Sequence, residues 1–442
     1  LPVIPSPLIP TDEAIVNGPL ATDLALGPWV WLLLTFVGCV TLFFKFSRVW
    51  SVRNLDLLLL FVLVPGMFQI VANPARHPWS AYIWLFVGSG LWLIRCLLDL
   101  GLTRRPLLEP NLSGSGLLCL SVSILGLLLC ETVSLPVDEG AARNPAEPTG
   151  REDRPPNAPG NDHPTVKSMI STAAPFLPPV LQRQLPQVIA SRVLAVIAHI
   201  ALVVGLIAIG WKLFERPISG YAMATCYLLL PYTRMSLVDS GQLISSALIV
   251  LAVLFHARPV LAGGLIGLAA GWIPACLGLI VLWCGYLKGR NAVKFGATAV
   301  GVVVVCACLG LWVPGLREWA SALGARSIAQ VGLFPMSEPI SERSFWVSID
   351  SSFRLPVLIG YLALVGATAF WPAEKNLAEL ISLSAALLAA SQFWYLDKGG
   401  TLVMLYLPLA IAIMFRPTLS ARRLSARALR RRAERQSLYP SS

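Results

Sequence analysis

Charge is what this sequence has least of. Asp, Glu, Lys and Arg make up 13% of its 442 residues, where soluble domains carry about 25%. So little charge cannot cover a water-soluble globule of this length, which excludes an ordinary soluble enzyme. The short motifs of soluble catalysis are missing too. There is no Gly-rich phosphate loop, no GxSxG, no HExxH and no DxD. ATP use would therefore need a partner. No CxxC occurs, and the nine cysteines all fall in apolar segments. They read as small buried hydrophobes, not as disulfides or metal ligands. The four histidines, at 77, 163, 199 and 256, are scattered. Neither a metal site nor a cofactor is expected. Alternating polarity is also lacking, which argues against a membrane barrel.

What is present is apolar sequence, at 56% of the chain, in continuous runs of about 20 residues. The expected fold class is all-α: a polytopic integral membrane helical bundle. It would have about 11–13 transmembrane segments, counting a candidate re-entrant pair. The net charge of +11 is concentrated. From Arg416 to Arg435 there are eight Arg and one Glu. A basic tail beside a membrane helix usually faces anionic lipid on the cytoplasmic side, so no nucleic-acid partner is expected.

Charge placement orders the chain. Residues 1–27 contain Asp12, Glu13 and Asp23 but no Lys or Arg, and read as an extracytoplasmic N-terminal segment. Because the chain begins at Leu1, a segment such as a signal peptide is expected upstream. Residues 28–135 read as a four-helix transmembrane module, with spans near 28–46, 55–72, 80–100 and 114–132. Residues 136–188 are Pro-rich and acidic, and read as an extracytoplasmic disordered loop. Further spans follow near 188–211, 218–233 and 242–256, then 293–314, 355–371, 377–395 and 400–415, with an outer loop at 315–354. Residues 416–442 form the basic tail, assigned to the cytoplasmic face of an inner membrane. Segment 259–287 has Arg258 at one end and Lys288 and Arg290 at the other. It reads as a re-entrant pair of half-helices bent near Gly271 and Pro274, or as one kinked span. The first, or an uncounted extra span, keeps the later basic loops on the same side as the earlier ones.

Ionisable groups in the apolar segments have separate readings. Arg95 and Asp99, four apart, share a helix face and read as a structural ion pair. Asp56 and Glu131 read as span-end residues within reach of water. His199 reads as an interhelical hydrogen bond or a proton site. At the outer surface, Arg234, Asp239 and Gln242 are expected to converge. Asp350, Arg354 and Lys398 would join them around an outward-facing cavity for an anionic head group.

The stretch with Gly241-Gln242, Arg258, Ala262-Gly263, Gly267-Leu268-Ala269, Pro274 and Lys288 to Arg290 resembles the membrane glycosyltransferases of the C type. More narrowly it is similar to family 87, the polyprenol-phosphate-mannose-dependent mannosyltransferases. The resemblance spans about residues 190–315, and so makes 189–415 a glycosyltransferase-like region. It implies transfer of a sugar from a polyprenyl phosphate to an extracytoplasmic acceptor, with a carboxylate as general base. On that reading Asp239, Asp350 or Asp12 is catalytic, and Gln242, Arg234, Arg354 and Lys398 bind substrate. The sequence departs from the family at Ile244, where the family has Asn. It departs again at Gly271-Trp272-Ile273, where the family has a Lys before the proline. The alternatives are a non-enzymatic membrane scaffold or envelope-complex subunit, a transferase that has lost its activity, and a transporter. Internal repeats with matched broken helices, which transporters usually show, are not seen.

Overall fold

The computed structural model describes residues 28–46, 49–72, 79–101, 109–134, 186–312, 320, 325, 345–348, 351–396 and 399–417. Within these residues the chain is a bundle of helices, six of them long and apolar enough to cross a membrane. The chain is a multi-pass membrane protein. Asp12, Asp350 and Lys398 lie outside the described residues, as do 136–185 and 418–442.

The helices run in chain order: α1 Pro28–Phe43, α2 Val52–Val62, α3 Val64–Ala72, α4 Trp79–Leu98, α5 Gly114–Ser134 and α6 Pro186–Ala208. Next come α7 Pro217–Leu229, α8 Pro231–Met235, α9 Ser240–Leu254, α10 Pro259–Trp272, α11 Leu277–Leu287 and α12 Gly289–Trp312. The last three are α13 Arg354–Phe370, α14 Leu377–Trp394 and α15 Val403–Phe415. Prolines open α7, α8 and α10 at positions where a missing N–H costs nothing. Pro231 breaks the expected sixth span into α7 and the short α8, because the residue before a proline leaves helical geometry: Leu230 sits at ψ 138°. α14 starts with a complete capping box between Asn376 and Glu379.

Close contacts fix the helix directions. α4 and α15 run parallel: Ser89 meets Tyr406 (Oγ to Oη 3.4 Å), and Asp99 meets Arg416. α14 runs against α4, with Ser382 at Asp99 and Phe393 stacked on Phe86. α5 runs parallel to α7, with Ser121 on Thr225 (2.7 Å) and Glu131 on Arg234. The first four spans thus share packing with the rest.

Segment 259–287 forms a hairpin of two short helices. A Cβ on Gly263 would sit 2.6 Å from the Phe295 carbonyl, and one on Gly267 2.5 Å from that of Ala299. Position 271 faces Cys306. Residue numbers rise together, so α10 runs parallel to α12. The chain breaks at Ile273-Pro274 and returns. Trp283 in α11 stacks on Phe295 with ring centroids 5.7 Å apart, and Cys284 lies against Ala292. α11 therefore ends where α10 began. At 14 residues α10 spans about 21 Å, and α12 at 24 residues about 36 Å.

These directions sort the described cations. Lys45, Arg53, Arg95, Lys212, Arg216, Arg258, Lys288, Arg290, Lys294, Lys375 and Arg416 lie at one end of the bundle, hereafter the basic end. Only Arg192, Arg234 and Arg354 lie at the other.

Several expectations need correction. Asp56 and Glu131 are not water-facing: they are 4% and 7% exposed, and each holds an arginine. Arg95 grips both oxygens of Asp56 and also donates to Asp99 (3.1 Å). Asp99 in turn accepts from Ser382 (2.6 Å) and Arg416. The expected ion pair is thus part of a buried four-charge network joining α2, α4, α14 and the end of α15. Nor are the cysteines uniformly buried: Cys119, Cys130 and Cys308 are exposed on apolar helices. A lipid-facing position suits a small apolar thiol as well as a core one does.

Candidate functional site

Opposite the basic end, α9 opens with the polar corner Asp239-Ser240-Gly241-Gln242. Asp239 is the N-cap. One carboxylate oxygen accepts from the Gln242 backbone N–H (3.4 Å) and the other from the Gln242 side-chain amide (2.7 Å). An aspartate at this position satisfies a helix-end donor and favours the positive end of the helix dipole. Because the amide nitrogen faces the carboxylate, the amide oxygen must point away. Gln242 is 4% exposed, and that oxygen is buried without a hydrogen-bond partner. One turn on, the buried Ser245 hydroxyl is also unpartnered. On the other flank of the corner, Ser240 meets Ser191 of α6, Oγ to Oγ 3.2 Å.

α9 and α10 are joined by the short turn 255–258 and pack side by side. The hairpin tip at Ile273-Pro274 therefore stands at about the depth of Gln242, set by the 1.5 Å helical rise.

The side chain of Arg234, on α8, makes no hydrogen bond to Asp239. Its Nε donates to Glu131 of α5 (2.9 Å), and its guanidinium lies 4.7 Å from the centroid of the Trp31 ring of α1. Its residue exposure is 8%, yet both terminal nitrogens are buried without an acceptor. Each such donor costs about 1–3 kcal/mol when left unsatisfied. Nearby, Arg192 of α6 donates to the Val133 carbonyl at the end of α5 (2.9 Å).

Arg354, the first residue of α13, does not join this group. It is buried, donates to the Trp394 carbonyl (2.8 Å) and lies over the Trp394 ring. His199 forms the expected interhelical bond, with Nδ1 2.9 Å from the Tyr227 hydroxyl. Among the described residues, no three His, Cys, Asp or Glu side chains gather to hold a metal ion.

The structure thus brings Asp239 and Gln242 into contact and pairs Arg234 with a partner that sequence reasoning assigned no chemistry. Glu131 lies 103 residues away, and no local pattern signals the pairing. The capping role of Asp239 did have a signal: an Asp immediately before an apolar helix. No protein-family model, curated protein or solved structure matches the chain.

Proposed function

We propose that this multi-pass membrane protein binds the phosphate head of a polyprenyl-linked sugar at the end bearing Arg234 and Gln242, and acts as a lipid-linked sugar transferase. The observation that carries the reading is the Arg234 guanidinium. A buried cation with one nitrogen on a carboxylate and two nitrogens without acceptors is chemically fitted to a phosphate oxygen pair. The unpartnered Gln242 oxygen and Ser245 hydroxyl suit a hydroxyl-bearing group. Asp239, already accepting two hydrogen bonds from Gln242, serves in this reading to orient that amide. The general base then falls to Asp350 or Asp12, as the family-87 resemblance implies, with Lys398 as a further basic group.

The same reading sets the chain in an inner membrane with its basic end and C-terminus cytoplasmic, since cations gather on the cytoplasmic side. The α10–α11 hairpin is then re-entrant from that side. Its broken tip is buried in protein, where non-helical backbone is tolerated. The Arg-rich tail meets anionic lipid.

A second reading has an observation of its own. Glu131 already neutralises Arg234, and the family's Lys before Pro274 is replaced by Trp272-Ile273, which suits a non-enzymatic subunit. Mass spectrometry of lipids that co-purify with the full chain separates the two. The transferase reading expects a polyprenyl phosphate, lost in Arg234→Gln, and consumption of a polyprenyl-phosphate sugar. Failure of wild-type protein to retain the lipid or consume the sugar overturns it, and fixed protein partners would then be expected.

A further inference from the structure

The two ends of the α10–α11 hairpin meet the start of α12 at the basic end, and four exposed cations meet there with them. Arg258 is the N-cap of α10, Lys288 the C-cap of α11, and Arg290 and Lys294 lie in the first two turns of α12. Phe295 packs against both Gly263 and Trp283, which holds the three helix ends together. Lys288 and Gly289 adopt positive φ (53° and 58°), so the chain reverses there within two residues.

A fifth cation stands beside them. Gly285 of α11 touches the Ala369 carbonyl, and that carbonyl accepts from the Lys375 ammonium (2.9 Å). Burial first, and Lys288 second, push the Lys375 ammonium below its usual range. The like charges are therefore close enough to repel.

Several other cations of this end have acidic company. Asp56 and Asp99 hold Arg95 and Arg416, Glu109 acts on Arg53, and Glu215 adjoins Arg216 in the chain. Glu379 faces Lys375, but both its oxygens are tied to Asn376. None of Arg258, Lys288, Arg290 and Lys294 has a carboxylate within ion-pair distance among the described residues. Just past the cations the surface turns apolar, with Val260, Leu261 and Val293 exposed. Charge above and apolar side chains below match the head and first methylenes of a lipid, not a soluble anion or a protein surface.

We propose that this hairpin mouth is a binding site for an anionic phospholipid of the leaflet at the basic end. Its phosphate would sit among Arg258, Lys288, Arg290 and Lys294. The site is separate from the Arg234 end, and the proposal stands whether or not the transferase reading does.

The test is native mass spectrometry of the full chain, titrated with phosphatidylglycerol or phosphatidylcholine. Wild type should retain phosphatidylglycerol preferentially. Lys288→Gln with Arg290→Gln should weaken that retention roughly tenfold or more, since each basic residue near a lipid surface contributes about 1 kcal/mol. Phosphatidylcholine retention should not move. Lys212→Gln with Arg216→Gln, on the connection between α6 and α7 at the same end, should change little. Equal loss in both double variants would show a diffuse surface field and overturn the site, as would no loss in either. Displacement of the lipid by millimolar inorganic phosphate would overturn lipid as the occupant. All four residues are exposed, so folding is not at stake; Arg258→Gln with Lys294→Gln provides an independent repeat.

Discussion

Arg95 and Arg234, at opposite ends of the bundle, are paired to different extents, although Arg53 and Arg416 at the basic end each also keep one unpartnered nitrogen. At the basic end, Arg95 spends its nitrogens on both oxygens of Asp56 and on Asp99, and Asp99 is shared with Arg416 and Ser382. At the far end, Arg234 has one carboxylate partner and two idle terminal nitrogens. Desolvating a guanidinium costs several kcal/mol, and only complete pairing offsets it. The first network reads as a structural tie between the early and late spans. The second reads as a place where something else belongs.

Substitution can break that contrast. Removing Asp99 should have the largest effect. Asp99→Ala leaves the buried Arg416 guanidinium without its carboxylate and Arg95 with Asp56 alone, and thermal unfolding in detergent should show a loss of about 3–5 kcal/mol. A loss within 1 kcal/mol would mean that water reaches the network. Next comes the hairpin seam. Gly267→Val places a branched side chain against the Ala299 carbonyl, and overpacking of this kind costs about 1–3 kcal/mol. Arg234→Gln should cost less than Asp99→Ala by the same measurement, because it also removes two unsatisfied donors. An equal or greater cost would make Arg234 a structural residue like Arg95. The smallest change is expected from Asp239→Asn. Asparagine caps a helix as well as aspartate does, so stability should move by only a few tenths of a kcal/mol. Asp239→Ala, which loses the cap, should cost about 1 kcal/mol.

The contrast also shows what a sequence displays. The spans were visible as apolar runs, and the gathering of cations at one end of the bundle was visible in the Lys and Arg that flank them. The break at Pro274 was legible as a proline inside an apolar segment, but those residues fitted one kinked span as well as a returning pair of half-helices. Each of these is a local signal, carried by neighbours in the chain. The ion pairs were not local. Asp56 and Arg95 are 39 residues apart, Glu131 and Arg234 103, and Asp99 and Arg416 317. Only the packing of α2, α4, α5, α8 and α15 brings them together. The far-end site was half legible for the same reason. Asp239 and Gln242 are three residues apart and meet as neighbours on one helix turn, whereas the partners of Arg234 come from α1 and α5.

The separation of the two ends depends on the hairpin returning to the side it left. Single cysteines at Ala257 and Asn291, both exposed, can be tested with a membrane-impermeant thiol reagent on sealed vesicles, with Ser113→Cys at the start of α5 as the marker for the basic end. Labelling of all three from the same face is the predicted result. Labelling of Ala257→Cys and Asn291→Cys from opposite faces would contradict the fold described above, and the separation of its two ends with it.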